Sequence, residues 1–87
     1  MGLSVTDRAL LDFERTWWTL SGVAAKGELI RARLGMSPTR YYQRLGALLD
    51  EPAAHDYDPL TVKRLRRQRE ERRRARLEGR RADPRSR

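Results

Sequence analysis

Thr39-Arg40-Tyr41-Tyr42-Gln43-Arg44 is the stretch of this 87-residue chain whose residue types and spacing come closest to a chemistry of recognition. Arg40 and Gln43 stand three apart, so a helix presents both on one face. A guanidinium there can bond bidentately to guanine O6 and N7, and a carboxamide to adenine N6 and N7. Each such pair discriminates by roughly 1–3 kcal/mol. Thr39, Arg40, Tyr42 and Gln43 are therefore the expected base-contact residues. Ser37 suits a phosphate at the start of the same helix, and Arg44 suits one through its charge.

A second set lies further along. At about 100° per residue, Arg66, Arg69, Arg73, Arg76 and Arg80 fall in one narrow stripe, while Gln68, Glu71, Ala75 and Glu78 gather roughly opposite. One face of such a helix can neutralise the phosphates of a polyanion while the other stays solvated. With Lys63, these five arginines complete the expected phosphate contacts. Each neutralised phosphate adds about −0.9 to the log–log salt slope of binding. The plainer alternative is a solvated helix supported by pairs such as Glu70–Arg74 and Arg67–Glu71.

Other chemistries find little support. The chain has no cysteine and one histidine, so disulfides, thiolate zinc sites and histidine relays are excluded or remote. Asp50, Glu51, His55, Asp56 and Asp58 offer ligands but lack the alternation and glycine of a calcium loop. No nucleophile–base pair, phosphate-cradling loop or carboxylate pair stands out, so the expectation is no catalytic residue, no metal and no cofactor. Trp17 and Trp18 can stack on unpaired bases, but their helical spacing with Phe13 reads as core and rim. No aliphatic run is longer than three residues, as at Ala9-Leu10-Leu11, which points away from a membrane and towards a cytoplasmic, nucleoid-associated protein.

Charge is divided unevenly along the chain. Residues 1–58 carry seven cations and eight anions, a net of −1, and residues 59–87 carry thirteen and four, a net of +9. After Leu65 the apolar side chains are Ala75, Leu77 and Ala82, too few to offset the entropy of ordering that segment alone. The body must carry the fold, and the extension must be solvated or partnered. Eighteen of the twenty cations are arginine, a bias that fits a GC-rich genome.

The elements that must position these residues are helices. Leu10, Phe13, Trp17 and Leu20, widened by Leu11 and Trp18, give a helix from about 5 to 20, capped by Ser4 or Thr6 and broken by Ser21-Gly22. A second runs from about 24 to 34, with Ile30, Leu34 and Leu29 apolar. Gly27 inside it costs about 1 kcal/mol against alanine, for which a close approach by a neighbouring helix would be a packing reason. Gly35 is placed for a left-handed residue, and Ser37-Pro38 is an N-cap and first-turn proline. The third helix then runs to about 49, burying Tyr41, Leu45, Leu48 and Leu49 and leaving Tyr42 as the freer tyrosine. Residues 1–50 are expected to form a helix-turn-helix domain and 51–58 an acidic linker. Residues 59–79 are expected to form a basic helix started by Asp58-Pro59, and 80–87 a flexible basic tail. The leucine heptad of a basic zipper is missing, because Arg72 stands seven after Leu65.

Leu34-Gly35-Met36-Ser37-Pro38, followed by Tyr41 and Leu45, resembles the region-4 helix-turn-helix of bacterial sigma factors and the related output domains of response regulators. Leu3-Ser4, Asp7-Arg8 and Leu10-Leu11 are similar to the first helix of those domains, so the likeness spans residues 3–49. The whole chain is also similar to a family of short, uncharacterised actinobacterial proteins, a domain of unknown function. It shares with them Asp12-Phe13-Glu14-Arg15, Trp17-Trp18, Thr39-Arg40-Tyr41-Tyr42-Gln43 and Lys63-Arg64-Leu65-Arg66-Arg67. That second likeness supports the fold and adds no activity.

The expectation is an all-α protein: a small three-helix domain with a helix-turn-helix and a basic C-terminal helical extension. Double-stranded DNA is the leading partner, with a role in transcription or nucleoid organisation. Two alternatives stay open: docking on RNA polymerase through a sigma-like fold, and RNA or ribosome binding through the arginine-rich helix. The small core also leaves room for a homodimer.

Overall fold

The computed structural model describes residues 2–19 and 25–81, the side chains of 18, 19, 80 and 81 excepted. It contains α1 (Val5–Thr19), α2 (Lys26–Leu34), α3 (Pro38–Leu48), α4 (Pro52–Tyr57) and α5 (Pro59–Arg81). No strand occurs among the described residues, so the fold is all-α. The expected Ser21-Gly22 break, the Trp18 and Leu20 ends of the first apolar stripe and residues 82–87 of the basic tail lie outside the described residues.

Helix starts are set by short polar side chains. Ser4 Oγ accepts the Asp7 amide at 3.0 Å and opens α1. Ser37 Oγ accepts the Arg40 amide at 3.2 Å, and Asp58 Oδ1 accepts the Thr61 amide at 3.2 Å, each just ahead of a helix-leading proline. α2 ends at Gly35, whose φ of 67° and ψ of 25° place it in the left-handed region that favours glycine. Gly27 has its packing reason as well: a Cβ there would come within 3.3 Å of the Pro38 ring, where α3 begins against α2.

The core is built on α1 and α3. Leu10, Leu11 and Phe13 of α1 meet Tyr41, Leu45 and Leu48 of α3, with Leu49 just beyond it and Ile30 from α2. Leu29, Leu34, Met36 and Trp17 pack against this centre while partly buried.

Two features differ from expectation. Residues 52–57 form a helix where an acidic linker is expected, with Ala54 fully buried against the core. The physical reason is that Pro52 occupies the first helical turn, where proline is tolerated, and two alanines follow it. The basic helix also belongs to the domain at its start. Val62 and Leu65 are core residues, and Thr61 is 2% exposed. The body therefore ends inside α5, beyond residue 58. From residue 71 to 79 every side chain is exposed, and the helix runs on as a rod. Its 23 residues span about 35 Å. The radius of gyration is accordingly 15.4 Å, against about 12 Å for a compact chain of this length.

Candidate nucleic-acid interface

α3 buries Tyr41, Leu45 and Leu48, which leaves its opposite side outward. Arg40, Gln43 and Ala47 occupy that side at helical spacing, and all three are exposed together with Thr39. They border an open depression of about 560 Å³, which the start of α1 closes at Ser4 and Thr6. Among the described residues the side chains of Thr39, Arg40 and Gln43 meet no hydrogen-bonding partner. Three of the four expected base-contact residues therefore share one accessible face.

The fourth does not. Tyr42 is about 160° around the helix from Arg40 and opens towards α5. It is 49% exposed, as the freer tyrosine should be. Its ring stands edge-to-face with Tyr41 at 5.0 Å and lies 5.4 Å from the Lys26 ammonium.

Several expected phosphate contacts have structural partners instead. Arg44 donates from Nε and Nη2 to the two carboxylate oxygens of Asp7, at 2.8 and 2.7 Å, and reaches Glu51 at 3.4 Å. Its hydrogen bonds hold the Asp7 carboxyl below the usual carboxylate range, against the opposing effect of burial. Arg66 Nε donates to the Leu49 carbonyl at 2.6 Å, satisfying an orphan acceptor at the end of α3. Arg69 pairs with Asp50 at 3.1 Å and lowers its pKa. Arg66 and Arg69 thus fix the direction in which α5 leaves the body. Ser37 Oγ caps α3, as described above.

Beyond Arg69 the stripe opens out. Arg73 keeps a loose contact with Glu70 at 3.6 Å, 70% exposed, and Arg76 is exposed. Lys63 is exposed one turn before Arg66. Arg80 belongs to α5, and its side chain lies outside the described residues.

A buried polar cluster supports the α3 face from within. The Glu14 carboxylate, 4% exposed, accepts the Tyr41 hydroxyl and pairs with Lys26 at 2.8 Å. Burial pushes the Tyr41 phenol well above its ordinary pKa, and the adjacent Glu14 charge adds to the shift. Lys26 also lies 5.8 and 5.9 Å from the Trp17 and Tyr41 ring centroids. Sequence reading did not single out Glu14 or Lys26. Their partners sit on other helices, and no local pattern announces the pairing.

Fold and surface together define an all-α domain whose last described helix is cationic and projects from it. Over residues 2–77 the chain matches the family described as Protein of unknown function (DUF3263), and it belongs to that family. No curated protein and no solved structure matches it. No helix among the described residues is long and apolar enough to cross a membrane, and none of their His, Asp and Glu side chains group as a metal site would.

Proposed function

We propose that this protein binds double-stranded DNA as a transcriptional or nucleoid-associated regulator. In this reading α3 reads base edges with Thr39, Arg40 and Gln43, while Lys63, Arg73, Arg76 and Arg80 of α5 contact phosphates. The observation that carries the reading is the projecting half of α5. A rod exposed from residue 71 to 79 belongs to a segment of net charge +9, beside a body of net −1. Like charges at that density repel one another; a polyanion's opposite charge relieves the repulsion, and the counterions it releases on binding add a favourable entropy. The left-handed glycine between α2 and α3, with one face of α3 docked and the other free, supports a helix-turn-helix for base readout. Tyr42, Arg44, Arg66 and Arg69 drop out of this contact set for the reasons given above.

Binding-site selection from random duplex tests the reading. The wild-type chain should enrich a defined site. Arg40→Ala should broaden the preference at one position while non-specific affinity changes little, because one bidentate contact discriminates by roughly 1–3 kcal/mol. An unaltered profile in the variant removes Arg40 from base readout.

A further inference from the structure

We propose that the groove between α3 and α5 binds one unstacked nucleotide, with its base on Tyr42 and its phosphate on Arg72. The proposal goes beyond duplex binding and shares with it only the cationic surface of α5. The groove measures about 310 Å³ and is lined by Tyr42 and Gly46 of α3 and by Gln68, Arg69 and Arg72 of α5. That volume is at the small end of ligand clefts, which run from roughly 300 to 1,000 Å³.

Its lining combines apolar, aromatic and polar groups. Leu45, Leu49 and Leu65 make an apolar floor. Tyr42 adds a half-exposed aromatic ring, steadied by Tyr41 at 5.0 Å and Lys26 at 5.4 Å. A flat, polarisable, weakly hydrated group suits that surface, and a nucleobase stacks on such rings with any sequence. Gln68 offers a donor and an acceptor for a base edge. Two arginines one helical turn apart line the α5 side: Arg69 is held by Asp50 at 3.1 Å, while Arg72 has no ion pair among the described residues and is the one open to a phosphate. Glu14 and Lys26 also line the groove, paired with each other at 2.8 Å, so neither presents a free charge to a ligand. An aromatic platform with a guanidinium and an amide in one groove suits a nucleotide better than an acidic peptide or a bare anion.

Gly46 supplies an independent observation. Glycine inside a helix costs about 1 kcal/mol against alanine, and a Cβ at Gly46 would meet no atom within 4 Å. Neither packing nor a left-handed φ requires glycine there. A long side chain at position 46 would project into this open space.

The nucleotide could be free or part of a strand whose backbone continues along Arg73 and Arg76. Adenosine monophosphate, a mixed-sequence eight-nucleotide single strand and inorganic phosphate serve as probes, titrated into the full chain. The strand and the monophosphate should both bind, whereas inorganic phosphate at equal concentration should not compete. Tyr42→Leu should weaken both by roughly ten-fold, Tyr42→Trp should preserve them, and Gly46→Leu should abolish monophosphate binding without lowering the Tm. Strand binding that falls steeply with salt, and is much tighter than the monophosphate, points to a strand. Equal affinities point to a free nucleotide. Unchanged affinities in Tyr42→Leu and Gly46→Leu, or competition by phosphate alone, overturn the proposal. Duplex affinity should stay constant in Tyr42→Leu. Its loss together with nucleotide binding would place Tyr42 in the duplex interface and overturn a separate site. Loss of duplex binding in Arg40 and α5 variants alone bears only on the function proposed above.

Discussion

Asp7 and Arg44 show how a residue's partner decides its use. Asp7 is nearly buried, and Arg44 grips both of its carboxylate oxygens from 37 residues away in sequence. The folded carboxyl binds its proton less readily than the unfolded one, so the stabilisation is complete above about pH 4 and is lost on acidification through the lowered folded pKa. Arg44→Ala should destabilise the fold by about 1–2 kcal/mol at neutral pH. That is modest for a charge-assisted pair because the guanidinium is 42% exposed. Thermal unfolding of both chains across pH 7 to 2 checks this: the Tm gap should narrow below about pH 4, and a constant gap would separate the two residues energetically. A sequence supplies an arginine's charge but not its address. Arg40 and Gln43 were legible because their exposure follows from helix register. Arg44 and Arg66 were not, because their acceptors come from distant turns. Tyr42 was legible as the exposed tyrosine, but its direction depends on where α5 packs.

At the scale of elements, most boundaries follow from local chemistry. Ser4, Ser37-Pro38 and Asp58-Pro59 start helices, and Gly35 ends one, as their types require. The helix at Pro52 escaped because a proline among acidic residues looks like a loop until its first-turn position is seen. The joint between body and basic helix escaped for another reason. Val62 and Leu65 are two apolar residues in an arginine-rich run, and their burial depends on α4 and α1 lying beneath them. This yields a test of where the domain ends. A chain stopped after residue 70 keeps Val62, Leu65, the Arg66–Leu49 bond and the Arg69–Asp50 pair, so it should unfold cooperatively near the wild-type Tm. A chain stopped after residue 58 exposes the core and should lose its cooperative transition by circular dichroism. If both truncations melt alike, the early turns of α5 are not part of the fold.

The whole molecule is a small helical head with a charged rod fixed to it at a set angle. Its extents of 51 × 30 × 22 Å come from that rod. Arg66 and Arg69 hold the rod to the end of α3, while Arg73 and Arg76 point their charge outward. Charge reversal at Arg69 would therefore disturb the joint as well as the surface, and variants beyond it are cleaner. The most direct measurement is the salt dependence of duplex binding by the wild-type chain and by Arg73→Gln/Arg76→Gln. Binding should be measurable in dilute buffer, log affinity should fall linearly with log salt, and the slope should be shallower by about 1.8 in the variant, at about 0.9 per lost phosphate contact, with the Tm unchanged. Identical slopes in the two chains, or no affinity for duplex at any salt, would contradict phosphate contact by the rod.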